Sequence, residues 1–324
     1  MTQRHQDQRR GYQVSGVPKV PAVRPYFWVV KLLTTCMGEA VSDFVVLDVN
    51  KYLGVVLGFA VFVAAIIWQF RTPAYRTWPY WTAVSMVAVF GTIAADVMHV
   101  VLGLPYLVAA VFYAICLVVT FAAWHRTEGT LDIHSIVTRR REVFYWLTVV
   151  FTFAMGTALG DLLATTFSLG YLAAALVFTG LICVPLVAWR LGAGPVLTFW
   201  VAYILTRPIG ASFADFFGMA KDVSGMGYGH GAVSVVTLIL VVASFVYLSR
   251  SGIDQPEAAT SARPAAPSGY AQPPYAQPHY RSTPGQGQPE YGDLRHADPR
   301  QGVSRYAADS GHGNPQPRDQ RDYR

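Results

Sequence analysis

The sequence is poor in charge. Only 14% of its 324 residues are Asp, Glu, Lys or Arg, against roughly 25% in an ordinary soluble domain. That shortage excludes a solvated surface over most of the chain. Cysteine is scarce too. Cys36, Cys116 and Cys183 sit inside apolar runs with neither metal-ligand spacing nor a disulfide framework, and they read as small packing residues. No Gly-rich phosphate loop, nucleophile elbow or zinc-protease motif occurs. The first 25 residues are polar and basic, so no cleavable signal peptide is expected ahead of the first apolar run.

What the chain has instead is hydrophobicity, 53% of its residues. The apolar residues gather into eight runs, near 26–47, 53–69, 79–101, 104–124, 143–165, 169–189, 196–218 and 231–249. Each approaches or exceeds the length of about 20 residues that a helix needs to cross a bilayer. This predicts an all-α membrane protein with eight transmembrane helices and the lipid bilayer as its principal partner. Loops after the even-numbered runs carry Arg71, Arg76, Arg126, Arg139, Arg140, Arg141 and Arg190, while the opposite loops carry Lys51 and Lys221. By the positive-inside rule both termini are expected in the cytoplasm. The net charge of +6 then describes the cytoplasmic rim, and no nucleic-acid partner is expected.

From Ser251 the composition changes. "SGYAQPPYAQPHYRSTPGQGQPEYGD" is rich in Pro, Gln, Gly and Tyr and has no apolar period. Such a segment buries too little surface to offset its ordering entropy. Residues 251–324 are therefore expected to form a disordered cytoplasmic tail, a solvated spacer or a site for a cytoplasmic partner. Residues 1–25 form the N-terminal segment and 26–250 the membrane domain.

The odd-numbered runs share one frame. An aromatic pair opens each: Phe27-Trp28, Tyr80-Trp81, Tyr145-Trp146 and Phe199-Trp200. Ten residues after each Trp stands Gly38, Gly91, Gly156 or Gly210, and five further on Asp43, Asp96, Asp161 or Asp215. Four copies of Trp-x9-Gly-x4-Asp mark four two-helix repeats, near 26–70, 79–125, 143–190 and 196–250, each a marked helix followed by a plain one. An even number of spans per repeat gives all four the same orientation, as in parallel-repeat transporters. The marked helices are expected inside and the plain ones outside.

Each repeat glycine is followed four residues later by Ser42, Ala95, Gly160 or Ala214, the small-xxx-small pattern of close helix packing. Beside it runs a polar stripe at i, i+4, i+8 and i+12: Lys31, Thr35, Glu39, Asp43 in the first copy and Tyr203, Arg207, Ala211, Asp215 in the fourth. The middle copies keep Thr92/Asp96 and Thr157/Asp161. A charge facing lipid near the bilayer centre costs about 2.5–3.5 kcal/mol, so the stripes should turn towards a shared interior. At 1.5 Å per residue the aspartates lie roughly 22 Å from the tryptophans. Lys31, near the interface, is expected to snorkel to water.

"KLLTTCMGEAVSDFV", "FTFAMGTALGDLLA" and "FWVAYILTRPIGASFADFFG" resemble the signatures of the DUF347 repeat family, bacterial membrane-anchored proteins of unknown function. The likeness covers roughly residues 25–250. It carries over to Lys31, Thr34, Gly38, Glu39, Asp43, Asp96, Gly156, Thr157, Asp161, Thr206, Arg207, Pro208, Gly210 and Asp215. It implies a multi-pass protein of the bacterial inner membrane and is silent on substrate.

The residues themselves point to a cation pathway. A ring of Asp43, Asp96, Asp161 and Asp215 would select cations by its field, with Glu39 as carrier and Arg207 as its counter-charge. No cofactor is expected beyond a bound cation of unspecified identity. His99, three residues from Asp96, and His230, just before the last run, would complete an oxygen-and-imidazole donor set suited to Mn²⁺ or Zn²⁺. The alternative is a membrane scaffold or sensor whose polar core is structural glue and whose tail does the work. An enzyme would need a nucleophile or metal site beside the carboxylates, and only the two histidines offer one.

Overall fold

The computed structural model describes residues 16–256; the tail from 257 onward, and residues 1–15, lie outside the described residues. Among the described residues the chain is all helical. Its order is α1 (Pro25–Asp43), α2 (Lys51–Arg71), α3 (Thr77–Asp96), α4 (Tyr106–Glu128), α5 (Arg139–Asp161), α6 (Tyr171–Arg190, interrupted at Ile182), α7 (Pro195–Gly218) and α8 (His230–Ser251). Seven of the eight are long and apolar enough to cross a membrane, which makes this a membrane protein. Helix α1 is outside that set, because it carries Lys31, Glu39 and Asp43.

Local chemistry sets the helix ends. Pro25 and Pro195 open α1 and α7, where a missing N–H is harmless and φ is already helical. The Asn50 side chain accepts from the backbone N–H groups of Tyr52 and Leu53 and caps α2, as the first-turn donors require. Helices α4 and α8 end at Gly129 and Gly252, both with positive φ. Three helices share a rarer ending: directly after Asp43, Asp96 and Asp161 the backbone widens into π-helical turns, Phe44–Val49, Val97–Val101 and Leu162–Thr166. Turns of this kind occur mostly at functional sites. Helix α7 passes Asp215 without one and holds Pro208 in its interior instead.

Helices α1, α3, α5 and α7 pack in a closed circuit, α1 on α3, α3 on α5, α5 on α7 and α7 on α1. The remaining helices each lie mainly against one member, α2 on α3, α4 on α5, α6 on α7 and α8 on α1, and α8 also touches α3 and α7. Burial follows this division. In α3, α5 and α7 between 50% and 67% of the apolar window is buried, and in α2, α4, α6 and α8 only 17% to 33%.

Two sets of contacts run around the circuit in the same sense. Phe27 packs on Trp81, Tyr80 on Trp146, Tyr145 on Trp200 and Phe199 on Trp28, with ring centroids 5.6, 5.8, 6.2 and 5.6 Å apart. Further along, a Cβ on Gly38 would strike Ala88, one on Gly91 Phe153, one on Gly156 Arg207, and one on Gly210 Thr35. Each repeat glycine therefore marks a close approach of its helix to the next. The aromatic collar closes the tryptophan end of the circuit, and the aspartates stand at the other.

Candidate functional site

The i, i+4 stripes of α1, α3, α5 and α7 stack residues from the four helices into levels. Below the aromatic collar come Lys31 and Tyr203 with Val84 and Val149, then Arg207 and Phe153 with Thr35 and Ala88, all buried. Glu39, Thr92, Thr157 and Ala211 follow, and the four aspartates come last.

One guanidinium joins all four helices. Arg207 on α7 is 0% exposed. Its Nη2 donates to the Glu39 carboxylate on α1, to the Thr92 hydroxyl on α3 and, at 2.6 Å, to the Thr157 hydroxyl on α5. Its Nη1 and Nε donate to the Thr35 and Phe153 carbonyls at 3.0 and 3.3 Å. The threonines accept from Arg207 and pass their own hydrogens on: Thr92 Oγ1 donates to Glu39 Oε2 at 2.8 Å, and Thr157 Oγ1 lies 3.4 Å from the same oxygen. A buried charge is tolerable only when paired and hydrogen-bonded, and this clamp meets both conditions.

Lys31 is placed differently from the sequence expectation. It does not snorkel: it is 0% exposed, and its Nζ has no hydrogen-bond partner. The ammonium lies over the faces of Phe153 and Tyr203, 3.9 and 4.2 Å from their centroids. The stripe that turns Glu39 inward turns Lys31 inward as well, and the collar of Phe27, Tyr80 and Tyr145 leaves the stem no route to water. The two ring faces stand where water or an acceptor would otherwise be, and each offers a cation an attraction of about 0.5–2 kcal/mol, well short of its hydration.

At the aspartate level the carboxylates are not equivalent. Glu39, Asp43 and Asp215 are 2%, 5% and 2% exposed, and one carboxylate oxygen from each lies within 4.8 Å of the other two. Asp96 and Asp161 are half-buried and fall outside this cluster. Asp96 Oδ2 and Asp215 Oδ1 are buried without a hydrogen-bond partner. The two histidines part company. His99 is held by its Nδ1 to the Leu104 carbonyl at 2.9 Å and stacks on Tyr106, so it joins no carboxylate cluster among the described residues. His230 approaches Asp43, with Nε2 at 4.0 Å from Asp43 Oδ2.

Sequence reasoning passed over a second polar cluster, at the tryptophan end. Lys19 pairs with the buried Glu142 at 2.6 Å, and Gln69 donates to the same carboxylate at 3.1 Å. Asp254 is 0% exposed. It accepts from the Tyr75 and Thr77 hydroxyls at 2.6 and 2.7 Å, and its carbonyl accepts from Ala22 N–H at 3.2 Å. Lys19 and Asp254 stand in stretches that read as polar tails, so only the burial of their partners reveals them. Burial, and then the Asp254 carboxylate, push the Tyr75 hydroxyl well above the ordinary tyrosine range.

This is a helical protein of membrane-spanning build with a buried ionic core. The family model of the Repeat of Unknown Function (DUF347) matches it four times, over residues 26–75, 79–130, 144–192 and 198–254. The chain belongs to that family. No curated protein and no solved structure matches it.

Proposed function

We propose that the protein is a cation transporter of the cell membrane, taking a metal ion or coupling to protons. Its eight helices would all span the bilayer as four parallel two-helix repeats. The marked helices α1, α3, α5 and α7 would lie inside, the plain ones would face lipid, and both termini would be cytoplasmic. The ion path would enter at Asp43, Asp96, Asp161 and Asp215 and reach Glu39, with Arg207 as counter-charge.

The observation that carries this reading is the burial of Glu39, Asp43 and Asp215 side by side, with Arg207 bonded to Glu39. Carboxylates this close repel one another unless a cation or protons are shared among them. Intramembrane acids that face a bundle interior usually mark an ion path. The packed aromatic collar at the opposite end, with Lys31 behind it, fits a transporter better than an open channel. The alternative, a scaffold or sensor with a structural polar core, draws on the Glu39–Arg207 clamp, which ties four helices together.

Elemental analysis of cells separates the two. Wild type and the Asp43→Asn/Asp215→Asn double variant are expressed at matched membrane abundance. The transporter reading expects one metal to change with the wild type and return to baseline with the variant. Identical metal content in both would favour the scaffold.

A further inference from the structure

Two of the buried polar atoms at the aspartate end that lack a hydrogen-bond partner lie around one cluster. Asp215 Oδ1 is one, and it belongs to the carboxylate that completes the Glu39–Asp43–Asp215 cluster. His230 Nε2 is the other, on a ring whose side chain is only 12% exposed and 4.0 Å from Asp43 Oδ2. The other ring nitrogen, Nδ1, meets Asp48 Oδ2 at 3.3 Å. Metal-binding imidazoles are commonly arranged so: an outer carboxylate fixes the ring and tautomer, and the free nitrogen faces the ion. The loop before α8 holds the ring in place. Its residues Met226, Tyr228 and Gly229 donate backbone hydrogen bonds to the carbonyls of Phe216, Phe217 and Gly218 at the end of α7. Gly218 leaves room for the imidazole, since a Cβ there would come 2.8 Å from His230 Cδ2.

We propose that Glu39, Asp43, Asp215 and His230 form the seat of a single divalent transition-metal cation of the Mn²⁺ or Zn²⁺ kind. The seat rests on the transport reading given above and specifies its ion. Arg207 offsets Glu39, so Asp43 and Asp215, once ionised around a cation, would supply two negative charges, the complement of a divalent ion. The imidazole nitrogen suits Zn²⁺ and the three carboxylates suit Mn²⁺, whereas Mg²⁺ and Ca²⁺ take oxygen ligands. Asp96 and Asp161 stay outside, so the fourfold pattern of the sequence is broken at the ion. Glu39 and Arg207 have no counterparts in the other repeats: Thr92, Thr157 and Ala211 stand at the first position, Thr35, Ala88 and Phe153 at the second. The acids converge between the two helices that bear this pair.

The test uses the full chain purified in detergent and titrated with Mn²⁺, the free ion being read by its electron paramagnetic resonance signal. The wild type is expected to bind a single Mn²⁺. Asp43→Asn and Asp215→Asn should each weaken binding by about tenfold or more, as loss of a ligand or its support does, while Asp132→Asn, in the loop between α4 and α5, should leave it unchanged. Pulsed measurements on the bound ion should show coupling to an imidazole ¹⁴N that disappears in His230→Gln. Should the aspartate variants fail to fold, the ¹⁴N coupling in the wild type decides the matter. Absence of bound Mn²⁺, unchanged binding in Asp215→Asn, equal loss in Asp132→Asn, or bound Mn²⁺ without ¹⁴N coupling would each overturn the seat. Mn²⁺ bound by this set but never transported would contradict the transport reading and keep the seat. Transport that survives Asp215→Asn would do the reverse.

Discussion

Replacing Arg207 with methionine removes a cation that touches all four inner helices. The variant leaves Glu39, 2% exposed, with a carboxylate whose remaining donors are the Thr92 and Thr157 hydroxyls. It also frees the Thr35 and Phe153 carbonyls that Nη1 and Nε satisfy. Breaking a buried ion pair by removing one partner costs about 3–5 kcal/mol, chiefly because the other charge is left uncompensated. For a chain of this size each kcal/mol lowers the melting temperature by about 2–4 °C, so Arg207→Met should melt roughly 6–20 °C below wild type in the same detergent. Glu39→Gln should lose stability as well, through the guanidinium left behind. The double variant Glu39→Gln/Arg207→Met leaves neither member of this pair behind, and its loss should fall well short of the sum of the two. A fluorescence-detected thermal melt of the four proteins completes this cycle. Additive losses, with no recovery in the double variant, would falsify the clamp as a coupled unit.

Other consequences are more local. Gly210→Ala places a methyl group against Thr35 and the Cys36 backbone nitrogen and should destabilise by about 1–3 kcal/mol, the usual cost of overpacking. Gly180→Ala, with open space around its Cβ, should be neutral or slightly stabilising, and the same melts compare the two. Tyr75→Phe removes a hydrogen bond to Asp254 worth about 1 kcal/mol near neutral pH. Because the folded Tyr75 hydroxyl sits above its ordinary value, the unfolded chain releases that proton first as pH rises. This part of the stability is whole below the ordinary tyrosine value of about 10 and declines above it. Melts of wild type between pH 9 and about 11 should therefore fall more steeply than those of Tyr75→Phe; parallel slopes would count against the assignment. His99→Ala should leave metal content at the wild-type level, since His99 is tied to Leu104 and Tyr106.

Much of the architecture is visible in the sequence because membrane helices and repeats leave long-period signals. Trp-x9-Gly-x4-Asp picks out the four helices of the closed circuit, and its glycines fall where neighbouring backbones nearly touch. The same stripe that led to Glu39 and Arg207 contains Lys31. Its fate was misjudged because snorkelling considers the depth of a side chain and ignores what surrounds it. Phe153 and Tyr203, the residues under the ammonium, come from two other helices, and no local window of sequence contains them. The inequality of the four aspartates was hidden for a related reason: a repeat treats its copies alike, and only Glu39 and Arg207 break the symmetry. Their pairing is legible as opposite charge on two stripes. The convergence of Asp43 with Asp215 beside it needs helix adjacency, which periodicity does not encode. The Asp254 and Lys19 contacts were missed because each lies in a polar stretch with no period at all.

The central claim is that buried carboxylates in this core carry a cation across the membrane. The most direct measurement is Mn²⁺ entry into proteoliposomes that hold a trapped metal-sensitive dye, with wild type and Asp43→Asn/Asp215→Asn reconstituted at equal density. Uptake by the wild type, saturating with Mn²⁺ and reduced to the protein-free rate in the variant, is the predicted result. Equal rates in wild type, variant and protein-free vesicles, with the wild type shown to be folded by its melt, would contradict the account for Mn²⁺, the ion it names.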